Sequence, residues 1–277
     1  MNDHRDHDDF GGLHRDLFAT GAAINRRGLL RLAARFGASL GALPLLACGS
    51  QANTLSPSTT STNTGGGSST CSTRVPEETQ GPYPGDGSNG PNVLSQSGVV
   101  RSDIRSSFAG LAGAADGVPL TLALTIVSAS SCSPLSSRAI YVWHCDRPGR
   151  YSLYSAGATN QNYLRGVQEA DASGKVTFTT IFPGCYAGRW PHIHFEVYPS
   201  VAEATAAGSK LATSQIALTA DVSKAVYATD GYAQSADNLS RVSLATDMVF
   251  SDGAELETPT VTGSVDAGYV VTLTIGV

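Results

Sequence analysis

The chain has 277 residues, 41% of them hydrophobic, with 18 Lys/Arg against 23 Asp/Glu and a formal charge of −5. That length holds one large domain or two small ones. The slight acidic excess offers no basic patch, which argues against a nucleic-acid partner.

Taken in order, residues 1–25 are polar and rich in Asp and His, and Asn25-Arg26-Arg27-Gly28-Leu29-Leu30-Arg31 then opens an apolar run ending Pro44-Leu45-Leu46-Ala47-Cys48. A charged region, an apolar region and a small-residue junction are the anatomy of an export signal. The paired arginines resemble a twin-arginine leader. Leu45-Leu46-Ala47-Cys48 resembles a lipobox, which would make Cys48 the lipidated mature N-terminus. Arg31 and Arg35 interrupt an apolar run already too short to span a bilayer comfortably. Residues 1–48 are therefore expected to be a signal peptide. The protein is expected to be exported to the periplasmic or extracellular face, with membrane contact only through the lipid on Cys48. Residues 49–73 are almost all Ser, Thr, Gly, Asn and Pro; they have nothing to bury and read as a flexible linker. The folded domain is expected over 74–277.

Without the leader, 12 basic and 18 acidic residues remain, and the histidines fall to His144, His192 and His194. The four cysteines after Cys48 are an even number in an exported chain, and four allow three pairings. Cys71 with Cys132 would pin the N-terminal arm, leaving Cys145 and Cys185 to meet near the candidate site, whose residues each adjoins in sequence. No Cys-x-x-Cys occurs, which argues against a zinc ribbon.

Within the domain, Val75–Pro84 is a proline-broken loop. A Gly/Asn/Pro-rich segment leads to Val99–Ile104, and strands are predicted at 120–127, 139–144, 175–181, 192–198, 214–218 and 270–275, from alternating or short continuous apolar runs between Gly/Pro turns. Only 201–210 and 221–229 could hold short helices. This pattern predicts an all-β antiparallel sandwich with long loops and few short helices.

The stretch that carries chemistry is Pro183-Gly184-Cys185-Tyr186-Ala187-Gly188-Arg189-Trp190-Pro191-His192-Ile193-His194-Phe195. On a strand, His192 and His194 project from the same face. Two tyrosines, Tyr151 and Tyr186, sit where loops leave strands. Phenolate oxygen and imidazole nitrogen suit a hard cation such as Fe(III), whereas thiolates suit softer metals. Read singly, these residues say less: a loop tyrosine usually packs its ring, Arg189 would be a surface charge and Gln215 carries almost no information. His144, beside Trp143 on a core strand, reads as structural. Tyr154, Tyr163 and Arg165 are near enough in sequence to line a pocket.

Together, Val142-Trp143-His144-Cys145-Asp146, Gly149-Arg150-Tyr151-Ser152, Phe178-Thr179-Thr180-Ile181-Phe182-Pro183-Gly184-x-Tyr186 and Arg189-x-Pro191-His192-Ile193-His194-Phe195 resemble the intradiol ring-cleavage dioxygenases. The loop Thr79-x-Gly81-Pro82-Tyr83 resembles that family's pocket edge. The resemblance implies a non-haem Fe(III) enzyme that cleaves a catechol-type ring with O2 to a cis,cis-muconate-type product. It implies Tyr151, Tyr186, His192 and His194 as iron ligands, with Tyr186 the labile one that takes up a substrate proton. It implies Arg189 as the group stabilising charge on the substrate ring, and Gln215 as a catalytic-site glutamine lying just outside the ligand set. The implied partners are an ortho-diphenol and O2. A Cys145–Cys185 bond would restrain the loop that lets Tyr186 move. The competing readings are a non-catalytic β-sandwich binding module and a different metalloenzyme built on His-x-His.

Overall fold

A computed structural model describes residues 73–277; the expected signal peptide, most of the expected linker and Cys71 lie outside the described residues. Two four-stranded sheets face each other. The first holds β1 (Pro119–Val127), β4 (Lys175–Ile181), β7 (Thr260–Ser264) and β8 (Gly268–Gly276) in the order β4-β1-β8-β7. The second holds β2 (Ala139–Trp143), β3 (Arg165–Glu169), β5 (His192–Tyr198) and β6 (Ala212–Ala217) in the order β3-β2-β5-β6. The chain is all-β with long loops, as its punctuation implied. One pairing departs from the antiparallel expectation: β1 and β8 run parallel. They lie at opposite ends of the domain's sequence, so no tight hairpin obliges them to oppose.

The alternation in β1 explains the sandwich. Leu120, Leu122, Leu124 and Ile126 are buried between the sheets, while Thr121, Ala123 and Thr125 are only half covered. Facing them from the second sheet are Ile140 and Val142 of β2, Ile193, Phe195 and Val197 of β5 and Ile216 of β6. Yet every residue of β2 and of β5 is buried. Their other face is covered as well, by loops: Tyr141, Trp143 and Tyr198 pack there with Val93, Leu94, Val99, Tyr151 and Tyr186. Both histidines of β5 are on this loop-covered face, away from the sandwich core.

In residues 99–104, Val100 bridges to Val167 on β3 and Asp103 to Thr179 on β4. The segment crosses from one sheet to the other and so pairs at length with neither. Several local expectations change. The helix expected at 201–210 shortens to α1 (Val201–Thr205), capped by Ser200 Oγ accepting from Glu203 N at 3.2 Å. The one expected at 221–229 is α2 (Ala220–Tyr227). A third, α3 (Ala233–Leu239), had no apolar stripe to announce it. It is held by polar contacts: Ser235 Oγ accepts from Cys185 N at 2.9 Å and donates to Arg147 O at 2.9 Å, and Asn238 Nδ2 donates to Cys185 O at 2.8 Å.

Cys132 is disulfide-bonded, and its expected partner Cys71 lies outside the described residues. Cys145 and Cys185 are not bonded; both are free and buried. They fill different clusters, Cys185 in the sandwich core and Cys145 under the loops. Each thiol donates instead to a backbone carbonyl, Gly184 O for Cys145 and Arg189 O for Cys185, both at 3.4 Å.

Candidate active site

Strand register builds the floor of the site. Arg165 on β3 pairs with Trp143 on β2, Trp143 with His194 on β5, and His194 with Gln215 on β6. Directly opposed residues on one face have neighbouring side chains, so these four form one row across the loop-covered side of the sheet. The rings of Trp143 and His194 stack 4.8 Å apart and 4° from parallel.

Two loops bring tyrosines to this row. Asp146 and Arg150 close the turn after β2: Arg150 N donates to Asp146 Oδ1 at 2.8 Å and Asp146 N to Arg150 O at 2.8 Å. The turn delivers Tyr151, whose N–H donates to Ser155 Oγ at 2.9 Å. Tyr186 arrives from the loop after β4. There Gly184 lies directly on the first turn: a Cβ on it would sit 2.5 Å from Arg147 O and 2.8 Å from Asp146 O. Only glycine permits that approach, so the two tyrosine-bearing segments are locked to each other.

All four predicted ligand residues meet at one point. His192 Nε2 lies 3.1 Å from His194 Nε2, 3.2 Å from the Tyr186 hydroxyl and 3.4 Å from the Tyr151 hydroxyl. His192 Nδ1 donates to Trp190 O, which leaves the Nε2 lone pair facing the point of convergence. Burial drives the imidazoles toward the neutral, ligating form, pushing His192 down to about 3 and His194 well below its usual value. Burial also pushes the Tyr186 phenol up to about 12 and raises Tyr151 still more clearly, with Arg189 pulling Tyr186 back. Four neutral donors crowded in a dry pocket, with lone pairs converging, fit a hard cation that would stabilise the phenolates. Among the described residues no three His, Cys, Asp or Glu side chains gather as a metal site; the group able to hold a cation is this one, in which two donors are phenols.

Arg189 stands beside it, 4% exposed. Its Nη1 is 3.5 Å from the Tyr186 hydroxyl, its Nη2 donates to Gln215 Oε1 at 2.7 Å and its Nε to Asp247 Oδ2 at 2.9 Å. Gln215 Nε2 donates in turn to Thr79 O at 2.9 Å. That bond ties the Thr79–Pro84 loop over the site. Gly81 adopts φ +69°, and a Cβ there would be 3.3 Å from His194 Cε1. Tyr83 packs its ring 4.9 Å from that of Tyr151.

The less specific candidates divide. Arg165 is buried beneath the loops and donates five hydrogen bonds, to Tyr83 O, Pro84 O, the Tyr141 hydroxyl, Ser152 Oγ and Ser152 O. Tyr154 packs on Tyr83 at 5.1 Å. Tyr163 is elsewhere, in a cluster with Ala158, Leu164 and Ile181, and donates to Asp146 Oδ2 at 3.0 Å. His144 is structural, its Nδ1 donating to Cys145 O at 2.8 Å and its Nε2 accepting from Thr180 Oγ1 at 2.7 Å. Sequence reasoning missed Asp247 altogether, an isolated acid in a loop with no motif around it.

Fold and site together define a dioxygenase-type domain: residues 90–221 match the family model Dioxygenase_C, described as dioxygenase. The structure is similar to that of an intradiol ring-cleavage dioxygenase from Tetranychus urticae, with 24% identity over 74% of this chain and 94% of that one and a TM-score of 0.57. The fold is the one seen in the intradiol ring-cleavage dioxygenases, and the dioxygenase family model matches just under half of the chain. Further matches are the dioxygenase domain of a dioxygenase carbohydrate-binding protein fusion from Streptomyces sp. SirexAA-E (22% identity, 74% of this chain, 98% of that one, TM-score 0.46) and catechol 1,2-dioxygenase from Acinetobacter sp. ADP1 (19%, 73%, 61%, TM-score 0.42). No curated protein matches the sequence.

Proposed function

We propose that this domain is a non-haem Fe(III) intradiol dioxygenase that cleaves an ortho-diphenol ring with O2 to a cis,cis-muconate-type product. The observation that carries the reading is the meeting of Tyr151, Tyr186, His192 and His194 around one point, with Arg189 alongside. Ferric iron held there would supply Lewis acidity and a template for two adjacent phenol oxygens. Tyr151, His192 and His194 are the fixed holders, each braced by the strand or turn that carries it. Tyr186 is the movable one. Burial raises its proton affinity, so as a phenolate it would accept a proton from the incoming diphenol. Arg189 keeps its charge in this buried setting, because Tyr186 and Asp247 offset the cost of burial, and it stabilises negative charge developing on the ring. Gln215 orients Arg189 and holds the Thr79–Pro84 loop that keeps water from the site. The leader and linker expected in residues 1–73 place this activity outside the cytoplasm, tethered at Cys48.

The test is spectroscopic and catalytic. Iron-loaded protein should show a broad visible band from phenolate-to-Fe(III) charge transfer and should take up oxygen with at least one of catechol, protocatechuate or hydroxyquinol. Tyr151→Phe should alter the band and lower turnover at least about 10-fold, no less than the loss of an outer-sphere partner. Colourless protein at full iron occupancy would overturn the reading.

A further inference from the structure

Asp247 lies outside the span matched by the family model and outside every motif that pointed to the site, yet it is fully buried. Both of its carboxylate oxygens are committed. Oδ2 accepts from Arg189 Nε at 2.9 Å and from Trp190 N at 2.6 Å; Oδ1 accepts from Val249 N at 2.8 Å and Phe250 N at 3.1 Å. One side chain thus bridges the segment before β5 to the turn that opens the 3-10 helix Phe250–Asp252.

What it bridges is functional on each side. The Arg189 guanidinium is planar, so fixing its Nε edge fixes where the other nitrogens point. With Nε on Asp247 and Nη2 on Gln215, Nη1 is the nitrogen left toward the Tyr186 hydroxyl. The Trp190 peptide that donates its N–H to Asp247 belongs to the residue whose carbonyl accepts from His192 Nδ1. The turn held by Oδ1 brings the Phe250 ring to 6.0 Å from the Arg189 guanidinium carbon and 6.5 Å from the His192 ring. A carboxylate buried only to balance charge would need one contact with arginine. This one holds the guanidinium by its Nε edge and so sets the direction of the arginine.

We propose that Asp247 is a positioning residue of the site, aiming Arg189 at the reacting centre and acting on turnover only through that arginine. The proposal rests on the ring-cleavage reading above. Asp247→Asn keeps the shape but replaces one acceptor with a donor, so it cannot satisfy both pairs of N–H groups. Asp247→Glu keeps the charge but displaces it.

Both variants should bind iron with the wild-type visible band and show a kcat about 10- to 100-fold lower with little change in KM, the mark of an interaction made in the transition state. Arg189→Met should lower kcat by about 100- to 1,000-fold, and the double variant Asp247→Asn/Arg189→Met should be no slower than Arg189→Met alone. Wild-type kcat in Asp247→Asn, normal kcat in Asp247→Glu, or losses that multiply in the double variant would each overturn the proposal. So would failure of both Asp247 variants to yield soluble, iron-loaded protein, because the carboxylate would then serve the fold rather than the aim of Arg189. A wild-type protein that consumes no oxygen with any diphenol overturns the ring-cleavage reading and this proposal together, and that result is distinct because the wild type itself is silent.

Discussion

Arg165→Lys is the most informative single change outside the convergence point. Arg165 is 1% exposed, and its guanidinium makes five hydrogen bonds of 2.9–3.1 Å in three directions. Two go to the backbone of the Thr79–Pro84 loop and two to Ser152, the neighbour of Tyr151; the fifth goes to the Tyr141 hydroxyl. The five contacts use four N–H groups, because the two Nη1 hydrogens serve three acceptors, and an ammonium has three, so at least one donor is lost in a buried setting. A hydrogen bond from a charged group contributes about 1.5–3 kcal/mol, so the loss is at least that large. For a domain of this size each kcal/mol shifts Tm by about 2–4 °C, giving a fall of about 3–12 °C by circular dichroism. Because Ser152 adjoins Tyr151, the visible band of the iron-loaded protein should also broaden. A Tm within about 2 °C of wild type, with an unchanged band, would refute the claim that Arg165 ties the two loops to the sheet.

The remaining predictions concern buried titratable groups. Burial pushes His144 down to about 4, so the unfolded chain takes up a proton near pH 6.5 that the fold refuses. The stability His144 allows at neutral pH is therefore lost as pH falls from about 6.5 toward about 4, by roughly 3 kcal/mol. His144→Gln should flatten the acid limb by that amount in urea unfolding measured across this range, and an unchanged limb would count against the neutral, buried assignment. Cys145 and Cys185 are free, buried thiols, with burial pushing Cys185 up to about 12 and Cys145 well above its usual value. Thiol-directed alkylation followed by mass spectrometry should label neither until the protein is unfolded, and mild reductant should leave turnover unchanged. Rapid labelling of either in the native state, or activation by reductant, would refute that placement.

Much of the site was legible in the chain because its chemistry is local. The spacing of His192 and His194 needs only the two-residue period of a strand to place both imidazoles on one face. Tyr151 and Tyr186 stand at loop positions that a short motif can mark. The strands from Leu120 to Val127 and from Lys175 to Ile181 declare themselves by alternation. Other elements had no such mark. Helix α3 is polar and owes its place to Ser235 and Asn238 gripping the Cys185 peptide. Strand β3, Arg165–Glu169, reads as an ordinary polar loop, and its edge position becomes visible only when β2 is laid beside it.

The sequence by itself determined an all-β domain, a histidine pair on one strand face and the residue types able to hold a hard cation. Those follow from side-chain period and donor chemistry, which are properties of neighbours along the chain. Tertiary structure alone decided that this face lies under loops rather than in the sandwich, that Cys145 and Cys185 fall in separate clusters, and that Asp247, 58 residues from Arg189, closes on its guanidinium. The reason is that sheet order, β3-β2-β5-β6, brings distant segments into one row, and that loops such as the one carrying Asp247 fold back over it. Sheet order depends on which surfaces can be buried together, a quantity that no short stretch of sequence contains.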